Sequence, residues 1–172
     1  MGTSKKKRFV PEIGQALPIS IVDNHTHLAP LLSGTPDEQR KDEEARILPP
    51  VLRETLLSGM RQMGIKAAIS SGCEYEDLMQ TVRLAQENQE LWAALAIHPN
   101  EAPMHAQSYE QGPDGIEWSP KAVHLEISLD EAIAEVARLA QLSEVVAIGE
   151  TGLDYFRTGD SGKAAQKESF RA

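Results

Sequence analysis

Four short apolar runs limit what this chain can fold into more than any other feature. They are Ile19-Ser20-Ile21-Val22, which stops at Asp23, then Lys66 to Ser71, Leu91 to Ile97, and Glu144 to Ile148. A strand with one wet face alternates apolar and polar residues. These runs are nearly continuous instead, which suits strands covered on both faces in a parallel sheet. The gaps between them carry helical spacing. From Pro50 to Met63, Leu52, Leu56, Met60 and Met63 recur at three- and four-residue steps, and Gly64 fits the position just past a helix end. From Glu76 to Gln89, Leu78, Val82 and Ala85 do the same. Ser128 is placed to cap a helix carrying Ile133, Val136 and Ala140, with Asp130 and Glu131 in its first turn. No two runs are joined by a hairpin-length turn, so the order is strand, helix, strand, helix, strand, helix, strand.

That order predicts an α/β fold with right-handed crossovers, the pattern of a (β/α)8 barrel. Such a barrel typically takes about 250 residues, so 19–172 amounts to the first four βα units, the N-terminal half of one barrel domain. A half-barrel exposes two sheet edges, and the expectation is a piece of a longer protein or a chain that must pair to close. Residues 1–18, with Lys5, Lys6, Lys7 and Arg8 and then Pro11, Gly14 and Pro18, read as a mobile leader. Its basic run suits a solubilising tail better than a nucleic-acid contact. It lacks the apolar stretch of a secretory signal. The longest apolar run, Leu91 to Ile97, is far short of the roughly 18 residues a membrane helix needs. The expected compartment is the cytoplasm, with no membrane association.

The chemistry-bearing residues lie where strands stop, the end of an α/β barrel that carries active sites. Asp23-Asn24-His25-Thr26-His27 follows the first run. In extended chain His25 and His27 face the same side, and paired imidazoles are ligands for zinc and similar ions; an exposed pair is the plain alternative. His98 follows the third run. Gly149-Glu150-Thr151-Gly152-Leu153-Asp154 follows the fourth, and places a carboxylate, Glu150, where it can ligate one ion or bridge two. Asp154 is a candidate for orienting a ligand or accepting from a substrate group. Solvated loop acids are the alternative for both. The single cysteine, Cys73, reads as a buried, inert thiol rather than a nucleophile. His105 and His124 lie in or beside the long connection 99–127, have no partner spacing, and are expected at the surface. Trp92 and Trp118 lack a stacking array, and neither a phosphate-binding glycine loop nor a nucleophile elbow is present.

Val22-Asp23-Asn24-His25-Thr26-His27-Leu28, Ile97-His98-Pro99-Asn100 and Gly149-Glu150-Thr151-Gly152-Leu153-Asp154-Tyr155 together resemble the TatD family of metal-dependent hydrolases. Gln166 to Phe170 also looks like the family's helix start after the fourth strand. The 99–127 connection and the Asn-His-Thr-His wording look most like actinobacterial members. The resemblance implies a TIM barrel and divalent-metal-dependent phosphodiester hydrolysis, usually of DNA. It implies metal ligation by His25 and His27, a Glu150 that bridges two metals, and a His98 that faces substrate phosphate. The family's two further His ligands and its late Asp, the general base, come from the second half of its barrel and have no counterpart here.

The reading that follows is a TatD-like DNase using one or two divalent ions (Mg, Zn or Mn). A formal charge of −9 is unusual for a DNA partner, so short or single-stranded DNA ends are the expected substrate, with no obligate protein partner. Two rivals stand beside it. One is ester or amide hydrolysis at the same metal site, such as aminoacyl-tRNA deacylation. The other is an inactive half-barrel serving as an interaction module.

Overall fold

The computed structural model describes residues 15–28 and 50–172. The leader expected over 1–18 falls mostly outside the described residues, as does most of the connection 28–49. Four parallel strands, β1 (Ile21–Thr26), β2 (Ile65–Gly72), β3 (Leu91–Leu95) and β4 (Val145–Ile148), form one sheet in the order β1-β2-β3-β4. Helices fill the connections: α1 (Pro50–Gln62) before β2, α2 (Tyr75–Glu87) before β3, and α3 (Ala102–His105), α4 (Ala122–Glu126) and α5 (Leu129–Leu139) before β4. Then α6 (Asp160–Arg171) follows β4. This succession of βα units in sequential strand order is that of an α/β barrel with four strands described.

The core lies between the sheet and its helices. Leu78, Val82 and Ala85 of α2 pack with Ala93 and Leu95 of β3 and with Leu129, Ala132, Val136 and Leu139 of α5. A smaller cluster joins Leu57 to Ala68, Leu84 and Leu91, with Met60 beside it. So α1 buries Leu57 rather than Leu56, which is exposed; the flank of α1 that meets Ala68 and Leu91 is the one that carries Leu57 and Met60. Gly64 has a φ of +85°, a conformation that favours glycine, and its N–H bonds the Arg61 carbonyl at 3.1 Å to end α1. Ser128 caps α5 in a reciprocal box. Its Oγ accepts from the Glu131 N–H at 3.3 Å, and the Glu131 carboxylate accepts the Ser128 N–H at 2.9 Å.

Two expectations change. The connection 99–127 contains α3 and α4 rather than being loop throughout. The apolar runs are not all covered on both faces: β3 is largely buried, but Val146 and Ile148 of β4 are 48% and 59% exposed. The cause is position. β4 is an edge strand, and among the described residues no further strand covers the face that curls inward.

Candidate metal centre

The first strand is longer than its apolar run and carries His25 within it. Its pairing with β2 is irregular between Asp23 and Thr26, where three steps on β1 match two on β2. An irregularity of this kind re-aims side chains. The His25 N–H is taken by Oδ1 of Asp23 at 3.1 Å. Beyond the irregularity, the Leu28 N–H donates to Oγ of buried Ser70 at 3.0 Å, which ties the segment back to β2. The result brings His25 and His27 together, their rings edge to face with centroids 5.1 Å apart.

Glu150 arrives from the opposite edge, two residues past β4, after a cis Gly149–Glu150 peptide. Its Oε1 lies 3.1 Å from Nε2 of His25 and 2.9 Å from Nε2 of His27. The three ligand atoms lie within 4.8 Å of one another. The side chains are 53%, 48% and 35% exposed, so a solute reaches them freely.

Hydrogen bonds separate the imidazoles by role. Nδ1 of His27 faces the Ser71 carbonyl at 3.2 Å. A carbonyl only accepts, so Nδ1 carries the proton and Nε2 presents a lone pair toward Glu150, as a metal-ligating histidine does. His98 is wired the other way. Its Nδ1 accepts the Asn100 N–H at 3.1 Å, so Nε2 carries the proton and faces Oε2 of Glu150 at 3.7 Å, beyond a good hydrogen bond. His98 is therefore a donor at the edge of the site.

Cys73 stands at the same place, with Sγ 3.8 Å from Oε1 of Glu150. Burial pushes its thiol up to about 12, with the Glu150 charge adding to the effect. It is half-buried beside the cluster rather than deep in the core. Asp154 orders its own loop: Oδ1 accepts the Phe156 and Arg157 N–H groups at 3.2 and 3.3 Å. Gln166 clamps that loop from α6. Its Oε1 accepts the Asp154 N–H at 2.8 Å and its Nε2 donates to the Asp154 carbonyl at 3.1 Å, with the side chain fully buried.

His105 and His124 are buried, not at the surface. Nε2 of His124 is 2.7 Å from Oε2 of Glu101, and Nδ1 of His105 is 2.8 Å from the Ile127 carbonyl. Burial opposes ionisation of Glu101, but the His124 hydrogen bond and charge outweigh it and hold the carboxyl below its usual range. Burial also lowers His105. The usable sequence signal was the four-residue step from Glu101 to His105, which places both on one face of a helical turn.

Two histidines and a carboxylate thus converge at a mouth formed by strand ends, the end of an α/β barrel where active sites lie. The family profile described as TatD related DNase matches residues 22–172, and the chain belongs to that family. The 3'-5' ssDNA/RNA exonuclease TatD of Salmonella typhimurium is 28% identical over 120 residues, which cover 70% of this chain and 37% of that protein. Its namesake from Pantoea ananatis is 29% identical over 106 residues, covering 61% and 32%. The chain thus spans about a third of the length of these curated relatives. A crystal structure of a TatD family hydrolase from Entamoeba histolytica superposes with a TM-score of 0.58 at 19% identity, over 92% of this chain and 45% of that one. A TatD homolog from Escherichia coli does so at 0.52 and 23%, over 87% and 43%. These likenesses establish the fold.

Proposed function

We propose that this chain forms the ion-holding side of a cytoplasmic, divalent-metal-dependent phosphodiesterase, a TatD-like deoxyribonuclease that acts on short or single-stranded DNA ends. The observation that carries the reading is the meeting of two imidazole nitrogens and one carboxylate oxygen at the C-terminal end of a parallel sheet. The donor set fits a divalent ion. The His27 lone pair is directed by the Ser71 carbonyl, and nitrogen with carboxylate oxygen suits Zn or Mn, with Mg accepting the oxygen. His25, His27 and Glu150 would hold one or two ions. Such ions supply Lewis acidity toward a phosphoryl oxygen and lower the pKa of water near neutral pH.

The remaining residues orient and neutralise. His98 offers its Nε2–H to a non-bridging phosphate oxygen as charge develops there. Asp154 keeps the loop after β4 in shape and leaves its second oxygen to a substrate group. The names of the curated relatives, exonucleases on single-stranded DNA and RNA, support ends over long duplex. So does the charge of −9, which attracts no long polyanion.

The test is to incubate the protein with end-labelled single-stranded DNA, duplex DNA and aminoacyl-tRNA, adding Mg, Mn or Zn in turn. Stepwise shortening of single strands, abolished by chelator and by Glu150→Ala, is the expected result. Shortening that survives both, or deacylation without any shortening of DNA, overturns the reading.

A further inference from the structure

Behind the mouth lies a second knot of ionisable side chains. Glu101, His105 and His124 are all buried, with ligand atoms within 4.8 Å of one another. Its wiring opposes a metal ion. The Lys121 N–H donates to Nδ1 of His124 at 2.9 Å, so the proton sits on Nε2, and Nε2 donates it to Glu101. Ligation by His124 would need the lone pair that this proton occupies. One hydrogen bond, from His124 to Glu101, lies inside the knot, while His105 packs edge-on against the His124 ring and bonds outward to Ile127.

We infer that Glu101 and His124 are positioning residues for His98, fastening the short helix that begins at the His98 turn; this rests on the assignment of His98 to substrate phosphate. The helix α3 has four residues, too few to hold their own conformation. Both its ends are clipped to α4. At its start, Glu101 makes no side-chain cap and instead reaches His124. At its end, His105 reaches the Ile127 carbonyl, the residue that closes α4.

His98 is one turn upstream, in the turn that leads into α3. Its carbonyl accepts the Glu101 and Ala102 N–H groups at 2.9 and 3.1 Å, and its Nδ1 accepts the Asn100 N–H. Loss of the fastening therefore loosens this turn, which lets Asn100 shift against His98 and weakens the contact that keeps the His98 proton on Nε2. The anchor itself is fixed to the mouth. Lys121 pairs with Glu74, which follows Cys73 at the end of β2, and Cys73 touches Glu150.

The test reads the His98 ring directly, by imidazole nitrogen NMR on the 172-residue chain, with a titration of inorganic phosphate and a thermal midpoint for each variant. The expected wild-type signal is the Nε2–H form. Glu101→Ala should give mixed tautomers and a several-fold weaker response to phosphate. Glu101→Gln, whose amide oxygen still accepts from His124, should restore both. His124→Phe, which keeps the ring's volume and loses both bonds, repeats the comparison if Glu101→Ala does not fold. An unchanged His98 tautomer in the folded Glu101→Ala or His124→Phe protein, with only a lower midpoint, overturns the inference. A wild-type His98 that ignores phosphate overturns the phosphate assignment instead, and the tautomer comparison still decides whether the fastener exists.

Discussion

Nε2 of His27 and Oε1 of Glu150 lie 2.9 Å apart, although they follow strands at opposite edges of the sheet. In a flat sheet, three inter-strand gaps of about 4.8 Å would hold those strands roughly 14 Å apart. The contact therefore measures curvature. The four strands curl, as barrel strands do, until the two edges lean their side chains over one point. Site and curvature are one property here, and whatever flattens the sheet should also disperse the site.

The open edges should make the isolated chain associate with itself. β1 and β4 each present an unpaired row of backbone groups among the described residues, and β4 adds exposed Val146 and Ile148. Sedimentation at increasing concentration should show growing particles and binding of an apolar dye. Val146→Lys should reduce both. A monodisperse monomer that binds no dye would contradict this.

Asp77 should make stability fall as pH rises. Burial, aided by the charge of Glu74, lifts its carboxyl from an ordinary 3.8 to about 6. The folded chain thus holds an extra proton between those values, and stability declines across the window and stays lower above it. Asp77→Asn should raise the thermal midpoint at pH 7 and change it little near pH 4. A midpoint lowered at pH 7 would show that the ionised Asp77 is stabilising.

Gln166 should matter more to the loop after β4 than to the helix it sits on. Gln166→Leu keeps most of its volume but strands the Asp154 N–H and leaves the Asp154 carbonyl only the Arg157 N–H at 3.4 Å. The expected cost is up to about 1–3 kcal/mol, set by the one half-buried N–H left unpaired. Chemical denaturation should report that loss, and hydrogen exchange should report a loosened 149–157 segment. Unchanged exchange there would remove Gln166 from its clamping role.

Much of this was legible because strand ends are legible. The strand runs, α2, the Ser128 cap and the turn at Gly64 each follow from local spacing or a single residue's backbone preference. His25, His27 and Glu150 could be named because they lie within a few residues of where apolar runs end. Other features depend on contacts between distant residues. The buried pair of Glu101 and His124 joins positions 23 apart, and the burial of His105 depends on α4 folding over it. The irregularity that aims His25 is a mismatch between two strands, visible in neither alone. The choice of Leu57 over Leu56 depends on which flank of α1 meets Ala68 and Leu91. Asp154 carried a carboxylate in the right place, but its use within its own turn depends on the loop's path.

The most direct measurement is ion binding by calorimetry on the wild type, Glu150→Ala, His25→Ala and His98→Ala. If His25, His27 and Glu150 hold the ion, Glu150→Ala and His25→Ala should lose most of the Zn or Mn affinity. His98→Ala should keep it, because its Nε2 carries a proton where a ligand needs a lone pair. Equal loss in His98→Ala and His25→Ala, or full binding in Glu150→Ala, would contradict the assignment of the site.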